Sequence, residues 1–212
     1  MPSLKEEVKK ALDATDFAWI ERLARENKKV FSILISLTYD KEDLICWRAI
    51  EAMGKAAGAV AGEAPVAVRN VVQRLIWSVS EESGGIGWSA PEMLGEIVIN
   101  SPQAFEDIPP VLLSFHEEES FLKGVLWALG RMARAGIERT RGSFEVAVRA
   151  LEHKDSSVRG LGLYALSGSI TDEVKARVKE MIRDGGRCVI YRDGQLVETK
   201  VGDIARMVLD ER

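Results

Sequence analysis

The sequence predicts an all-α protein built from repeated helical hairpins, with a single β-hairpin near its C-terminus. Three observations support this fold class. Apolar residues recur at helical spacing through most of the chain up to about residue 183. A short motif that ends in a small residue recurs at intervals of 41, 35 and 37 residues. Beyond residue 186 the period changes, and two β-branched segments flank Asp193-Gly194, which is a strong hairpin signal.

The composition excludes several classes of protein. The chain has 212 residues, of which 46% are hydrophobic, so it can bury a sizeable core. Its net charge of -4 gives no general reason to expect nucleic acid as a partner. No apolar run approaches the roughly 20 residues of a membrane helix, and the N-terminus lacks the apolar region of a signal peptide. We therefore expect a cytoplasmic protein without a membrane segment, in which Cys46 and Cys188 are buried, reduced thiols.

Capping signals and helix breakers divide the first half of the chain into helices. Ser3 and Glu6 have the spacing of a capping box, in which each side chain satisfies a backbone amide at the helix start. Ser89 and Glu92 repeat this pattern, with Pro91 in the first turn. Asp16 is a further N-cap candidate. The helices predicted in this half span about 3–13, 17–25, 30–37, 43–62, 65–77 and 90–99.

The second half contains the longest amphipathic run, which is predicted to end at Gly136 in the left-handed conformation. Asp155 is the N-cap candidate of a later helix. The segments predicted here are helices at about 111–115, 117–135, 140–152, 155–167, 172–183 and 203–209, with strands at 188–191 and 196–199. Residues 1–185 are predicted to form a helical repeat domain, and residues 186–212 a cap of β-hairpin and helix packed on the same domain.

The recurring motif indicates a solenoid, in which each helix pair buries its apolar face against the next pair. Its four copies end at Gly54, Gly95, Gly130 and Ser167. The copy that begins Asp155-Ser156-Ser157-Val158-Arg159 resembles the second helix of HEAT repeats, while the other copies lack the arginine. This resemblance covers about residues 40–183 and implies a right-handed α-α superhelix whose second helices line the concave side. The Trp- and Gly-rich sequence at 77–96 is similar to that of a small HEAT-like family, and this similarity implies no chemistry.

Tryptophans and charged residues lie beside the apolar face of these second helices at i, i+4, i+8 spacing. We expect this stripe to form a concave surface that binds a protein or peptide partner, roofed by a glycine-rich turn before residue 88. The predicted partner-binding residues are Trp47, Glu81, Glu82, Gly84, Gly85, Trp88, Glu92, Glu96, Trp127 and Arg131. In the structural alternative, the acidic residues pair with Lys55, Lys123 and Arg131, and the tryptophans fill gaps between helices.

The sequence favours an interaction or scaffold module over an enzyme, and it predicts no cofactor, no metal and no catalytic residue. Two histidines are too few for a metal site of the kind found in HEAT-type hydroxylases. The glycine-rich turn lacks the ending of a phosphate-binding loop. The competing hypothesis is an enzyme or cofactor-handling protein, like the lyases that share HEAT-like repeats, that uses Glu81, Glu82, Glu92 and Glu96. A homodimer formed through the aromatic surface is a third possibility.

Overall fold

The computed structural model describes residues 2–80 and 87–210. Within these residues the chain is mostly helical, with twelve α-helices and one two-stranded antiparallel sheet near the C-terminus. The predicted combination of helices and a C-terminal β-hairpin is therefore confirmed. The chain divides into two compact units, Met1–Pro109 and Pro110–Arg212. No helix in the described residues is both long and apolar enough to cross a bilayer.

The helices of the first unit lie close to their predicted positions. They are α1 Leu4–Asp13, α2 Phe17–Glu26, α3 Lys29–Ile35, α4 Leu44–Ala61, α5 Pro65–Ser80 and α6 Ala90–Asn100. Ser3 and Glu6 form the predicted capping box at the start of α1. Asp16 accepts a hydrogen bond from the backbone amide of Trp19, as its prediction as an N-cap requires. These local side-chain bonds satisfy amides that have no partner inside the helix.

Helix α4 is the centre of the first unit, where it packs against α2 and α6. Gly54 and Gly58 permit the contact with α6, because a Cβ at Gly54 would lie 2.4 Å from the carbonyl oxygen of Glu96. At Gly58 a Cβ would lie 2.9 Å from the carbonyl oxygen of Asn100. Residues four positions apart on α4 thus meet residues four positions apart on α6 in the same order. The two helices therefore run parallel at their contact.

Helix α7, Ile108–Ser114, begins in the first unit and ends in the second. The other helices of the second unit are α8 Glu119–Arg134, α9 Ser143–Ala150, α10 Ser156–Ala165, α11 Asp172–Met181 and α12 Val201–Asp210, and its strands are β1 Arg187–Arg192 and β2 Gln195–Lys200. Gly136 has a φ of +74°, as predicted for the residue that ends α8. Asp155 caps α10 by accepting a hydrogen bond from the amide of Ser157. The hairpin turns at Asp193 and Gly194, whose φ angles of 50° and 76° fit a two-residue hairpin turn.

Helix α10 is the centre of the second unit, where it contacts α8, α9, α12 and β1. Gly130 of α8 lies against α10, because a Cβ there would be 2.2 Å from the Tyr164 ring and 2.9 Å from its carbonyl oxygen. Arg159 of α10 forms a bidentate ion pair with Asp184, which lies in the segment before β1. Its Nε donates to Oδ2 at 2.7 Å and its Nη2 donates to Oδ1 at 3.1 Å. The hairpin and α12 thus belong to the same packed unit as α8 to α10.

Candidate functional site

The predicted partner-binding residues are divided between the two units. Trp47, Trp88, Glu92 and Glu96 belong to the first unit, and Trp127 and Arg131 belong to the second. Glu81, Glu82, Gly84 and Gly85 lie outside the described residues. These four residues include part of the predicted roof of the site and two of the four glutamates of the enzymatic alternative.

Trp127 does not lie on a surface. Its side chain is 1% exposed, and its indole Nε1 donates a hydrogen bond to the carbonyl oxygen of Tyr191 at 3.1 Å. The two rings are 6.3 Å apart, and the guanidinium of Arg131 lies 5.7 Å from the Trp127 ring centroid. The expected exposure of Trp127 is wrong because strand β1 covers this side of α8. The tryptophan fills a gap between elements, as in the structural alternative.

Glu92 and Glu96 are also buried, each with 1% exposure, so their predicted place on an exposed charged surface is wrong. Glu92 Oε1 lies 2.5 Å from Nζ of Lys41, in the loop between α3 and α4. Its other oxygen, Oε2, is buried and accepts no hydrogen bond within residues 2–80 and 87–210. The partner of Glu92 is therefore Lys41, and not one of the three basic residues that the sequence suggested.

The predicted capping box at Ser89 does not form. Helix α6 begins at Ala90, but the Ser89 hydroxyl donates to the carbonyl oxygen of Thr38 at 2.9 Å and caps no amide. Because Glu92 is held by Lys41, both side chains of the predicted box turn to the α3–α4 loop. These two bonds attach the start of α6 to that loop. They replace a local capping interaction with a tertiary contact.

The hydrogen bond between Ser89 and Thr38 has an exposed aromatic residue next to it on each segment of the chain. Tyr39 and Trp88 are the chain neighbours of Thr38 and Ser89, which share the hydrogen bond just described. Their side chains are 57% and 52% exposed, although both are large and apolar. Trp47 is only half-buried, and its indole donates to the carbonyl oxygen of Lys41 at 2.8 Å. Trp47 therefore supports the loop that carries Tyr39.

The same loop is rich in carboxylates. Asp40, Glu42 and Asp43 are all exposed, and none of them forms an ion pair with another described residue. Asp40 accepts a hydrogen bond from the amide of Glu42, and Asp43 caps α4 by accepting from the amide of Ile45. We refer to Tyr39, Asp40, Glu42, Asp43 and Trp88 as the aromatic–acidic surface. The sequence signal is the run Tyr-Asp-Lys-Glu-Asp at 39–43, which lies outside the helical stripes that predicted the site.

The buried thiol of Cys46, on helix α4, is unsuited to nucleophilic chemistry. Burial, followed by the nearby Glu92 carboxylate, raises the pKa of Cys46 to about 12. A thiolate is the reactive form of cysteine, so a raised pKa leaves the group inert at neutral pH. Among the described residues, no three His, Cys, Asp or Glu side chains converge in a way that could hold a metal ion.

Comparison with known proteins assigns no chemistry to the chain. No family model matches it, and no solved structure matches it. An uncharacterised protein of Archaeoglobus fulgidus is 28% identical over 186 residues, which cover 85% of this chain and 96% of that protein. The similarity therefore extends over both units.

Proposed function

We propose that the chain is a protein-interaction module whose aromatic–acidic surface binds a basic peptide segment of a partner protein. The single observation that carries this proposal is the exposure of Tyr39 and Trp88, whose chain neighbours Thr38 and Ser89 are joined by a hydrogen bond. Exposed aromatic side chains on a fixed support are typical anchors of protein interfaces, because they bury a large area at little cost in side-chain entropy.

Tertiary bonds hold the loop that carries Tyr39. Ser89 bonds to the carbonyl oxygen of Thr38, next to Tyr39, and Lys41 of the same loop pairs with Glu92. The indole of Trp47 adds a third bond, to the carbonyl oxygen of Lys41. A surface held in place before binding loses less conformational freedom on association, which favours affinity.

The charge of the surface favours a basic partner. Lys41 lies between the carboxylates in the sequence, but its ammonium group is paired with the buried Glu92. It therefore does little to offset the charges of Asp40, Glu42 and Asp43. Lysine or arginine side chains of a partner would meet these carboxylates and could also stack on the exposed aromatic rings through cation–π interactions.

We also propose that the helical hairpins of this chain are HEAT-like repeats that form a right-handed superhelix. Two features support the proposal. Within the first unit, the motif helices α4 and α6 run parallel and meet at Gly54, as second helices of adjacent repeats do in a solenoid. Within the second unit, Gly130 of α8 similarly contacts Tyr164 of α10.

The interaction proposal is tested with synthetic peptides and the full chain. A fluorescently labelled peptide that alternates lysine and leucine and a matched peptide with glutamate for lysine are titrated while anisotropy is measured. We expect the basic peptide to bind and the acidic one not to bind. Affinity should fall as salt is raised, because the carboxylates are exposed and their attraction is screened.

Variants show whether the binding occurs at the proposed surface. Tyr39→Ala and Trp88→Ala should each weaken binding by roughly tenfold, which is the effect expected of an interface anchor. Val66→Ala is the control, because Val66 is another exposed apolar side chain of the same unit, with 71% exposure. Equal binding by all three variants and the wild type would contradict the proposal. Sedimentation of the chain alone shows separately whether a second copy occupies the surface.

A further inference from the structure

The second unit contains a cavity that the interaction proposal does not use. It has a volume of about 220 Å³ and lies between α10, α12 and the β-hairpin. Tyr164, Ile190 and Ile204 line it with side chains that are almost completely buried. Thr199, Arg192 and Asp203 contribute polar groups to its lining. The cavity therefore combines an apolar interior with charged groups from partly exposed positions.

Two guanidinium groups converge on one sulfur atom at this cavity. Arg192 Nη1 lies 3.4 Å from Sδ of Met207, which also lines the cavity, and Arg134 Nη2 lies 3.7 Å from the same atom. A thioether is a weak acceptor, so it satisfies a guanidinium donor poorly. Within the described residues, this sulfur is the only acceptor of a side-chain hydrogen bond from Arg192.

Arg134 and Arg192 reach the Met207 sulfur from different elements, α8 and β1. Arg134 stacks on Tyr164, with its guanidinium carbon 4.9 Å from the ring centroid, and Arg192 is the last residue of β1. Arg192 places a positive charge beside the cavity, and an anion there would accept its hydrogen bond more favourably than the neutral sulfur does. The carboxylate of Asp203 does not fill this role, because Arg206 of the same helix lies 2.5 Å from its Oδ1.

We propose that this cavity binds a small carboxylate with an apolar body. The carboxylate would accept hydrogen bonds from Arg192 in place of the Met207 sulfur, since charge-assisted bonds of guanidinium to carboxylate are much stronger. The apolar body occupies the space between Tyr164, Ile190 and Ile204. The volume lies below the roughly 300 Å³ at which pockets for drug-sized molecules begin, so the ligand is a short-chain acid.

The proposal is tested by calorimetric titration of the full chain with three probes. The probes are 3-methylbutanoate, its neutral amide 3-methylbutanamide, and acetate, which lacks the apolar body. We expect 3-methylbutanoate to bind at least roughly tenfold more tightly than either of the others, because it alone satisfies both the guanidinium and the apolar interior. Equal binding of acid and amide, or no binding of the acid at concentrations up to about 10 mM, would overturn the proposal.

A matched pair of variants locates the binding. Arg192→Gln should weaken binding of 3-methylbutanoate by roughly tenfold or more, since it removes the charged donor. Arg187→Gln is the control, because Arg187 lies at the other end of the same strand and pairs with Glu198, outside the cavity. An equal loss in both variants, or none in Arg192→Gln, would overturn the proposal. Thermal unfolding of both variants, compared with wild type, ensures that only folded protein is measured.

Discussion

Lys41 Nζ lies 2.5 Å from Oε1 of Glu92, and the two groups differ sharply in exposure. The lysine side chain is 33% exposed, whereas the glutamate is 1% exposed. This ion pair joins the loop before α4 to the first turn of α6. Because the two charges have unequal access to water, removal of one partner should not cost the same as removal of the other.

Replacement of the lysine is expected to be the more damaging change. Lys41→Met leaves a buried carboxylate without its cation and should lower the free energy of unfolding by about 3 kcal/mol. Glu92→Gln leaves an ammonium group that can reach water, and should cost about 1 kcal/mol. Urea denaturation of both variants measures the difference. If Glu92→Gln lowered the free energy of unfolding more than Lys41→Met, the ion pair with Lys41 would not be the main interaction that stabilises the buried carboxylate.

Truncation of Trp127 should cost much more stability than truncation of Trp88. Trp127→Ala removes a buried ring and its hydrogen bond to Tyr191, and should cost about 3–5 kcal/mol of stability. Trp88→Ala removes a half-exposed ring and should cost about 1 kcal/mol or less. Chemical denaturation measures both values. Similar losses would mean that the two side chains are packed to a similar extent.

Gly54 should tolerate no side chain. In Gly54→Ala the new Cβ would lie 2.4 Å from the carbonyl oxygen of Glu96, which is too close for a normal contact. The substitution should therefore destabilise the first unit by about 1–3 kcal/mol. Gly62→Ala is the matched control at the end of the same helix, where a Cβ meets nothing within 4 Å. We expect the control to be neutral or slightly stabilising. The comparison fails if both substitutions have the same effect in urea denaturation.

The pair of Arg159 with Asp184 should make stability depend on pH in the acid range. The hydrogen bond from Arg159 holds the pKa of Asp184 below its ordinary value. The folded state therefore binds this proton less readily than the unfolded state, whose pKa is about 3.9. The stabilisation is present above that pH and is lost as the pH falls through the folded-state pKa.

The measurement compares the wild type with Asp184→Asn. The difference in free energy of unfolding should be about 1 kcal/mol at pH 7 and should shrink as the pH falls below about 4. The same comparison in an Arg159→Gln background should show a smaller difference at pH 7. A difference that does not change with pH would assign the effect of the substitution to packing.

Both thiols should be unreactive in the folded protein. Burial raises the pKa of Cys46 to about 12 and that of Cys188 to about 11. Because the thiolate is the form that reacts, iodoacetamide at pH 8 should label neither residue in the native state. Both should be labelled in denaturant, since both are free cysteines. Mass spectrometry counts the added groups, and rapid labelling of folded protein would contradict the prediction.

The two copies of the pattern Ser-x-x-Glu show that a local pattern predicts where a helix starts but not always how its first amides are capped. At Ser3 the predicted capping box forms, with the Ser3 and Glu6 side chains each bonded to the backbone amide of the other residue. At Ser89 the same pattern is present, but the hydroxyl bonds to Thr38 and the glutamate pairs with Lys41. The predicted start of α6, at about residue 90, is confirmed. Its capping interaction is not, because both competing groups lie about 50 residues earlier in the chain.

At the candidate site, too, the sequence predicted which residues share a helix face but not which of them are buried. The predicted stripe identified Trp88, which is exposed, but it also included Trp127, Glu92 and Glu96, which are buried. Helical spacing places these residues beside the apolar face, and it does not show whether another element covers them. Tyr39 was not predicted as a site residue because its loop has no helical spacing of residues. The acidic residues that follow it in the sequence are the feature that could have identified it.

The sequence by itself determined the features that depend on residues within a few positions of each other. These are the helix starts at Asp16, Asp43 and Asp155 and the hairpin turn at Asp193-Gly194, where side-chain caps and allowed backbone angles act locally. Only the tertiary structure decided which charged and aromatic side chains are buried. Burial depends on which distant segment covers a helix face, as strand β1 covers Trp127 and the α3–α4 loop covers Glu92.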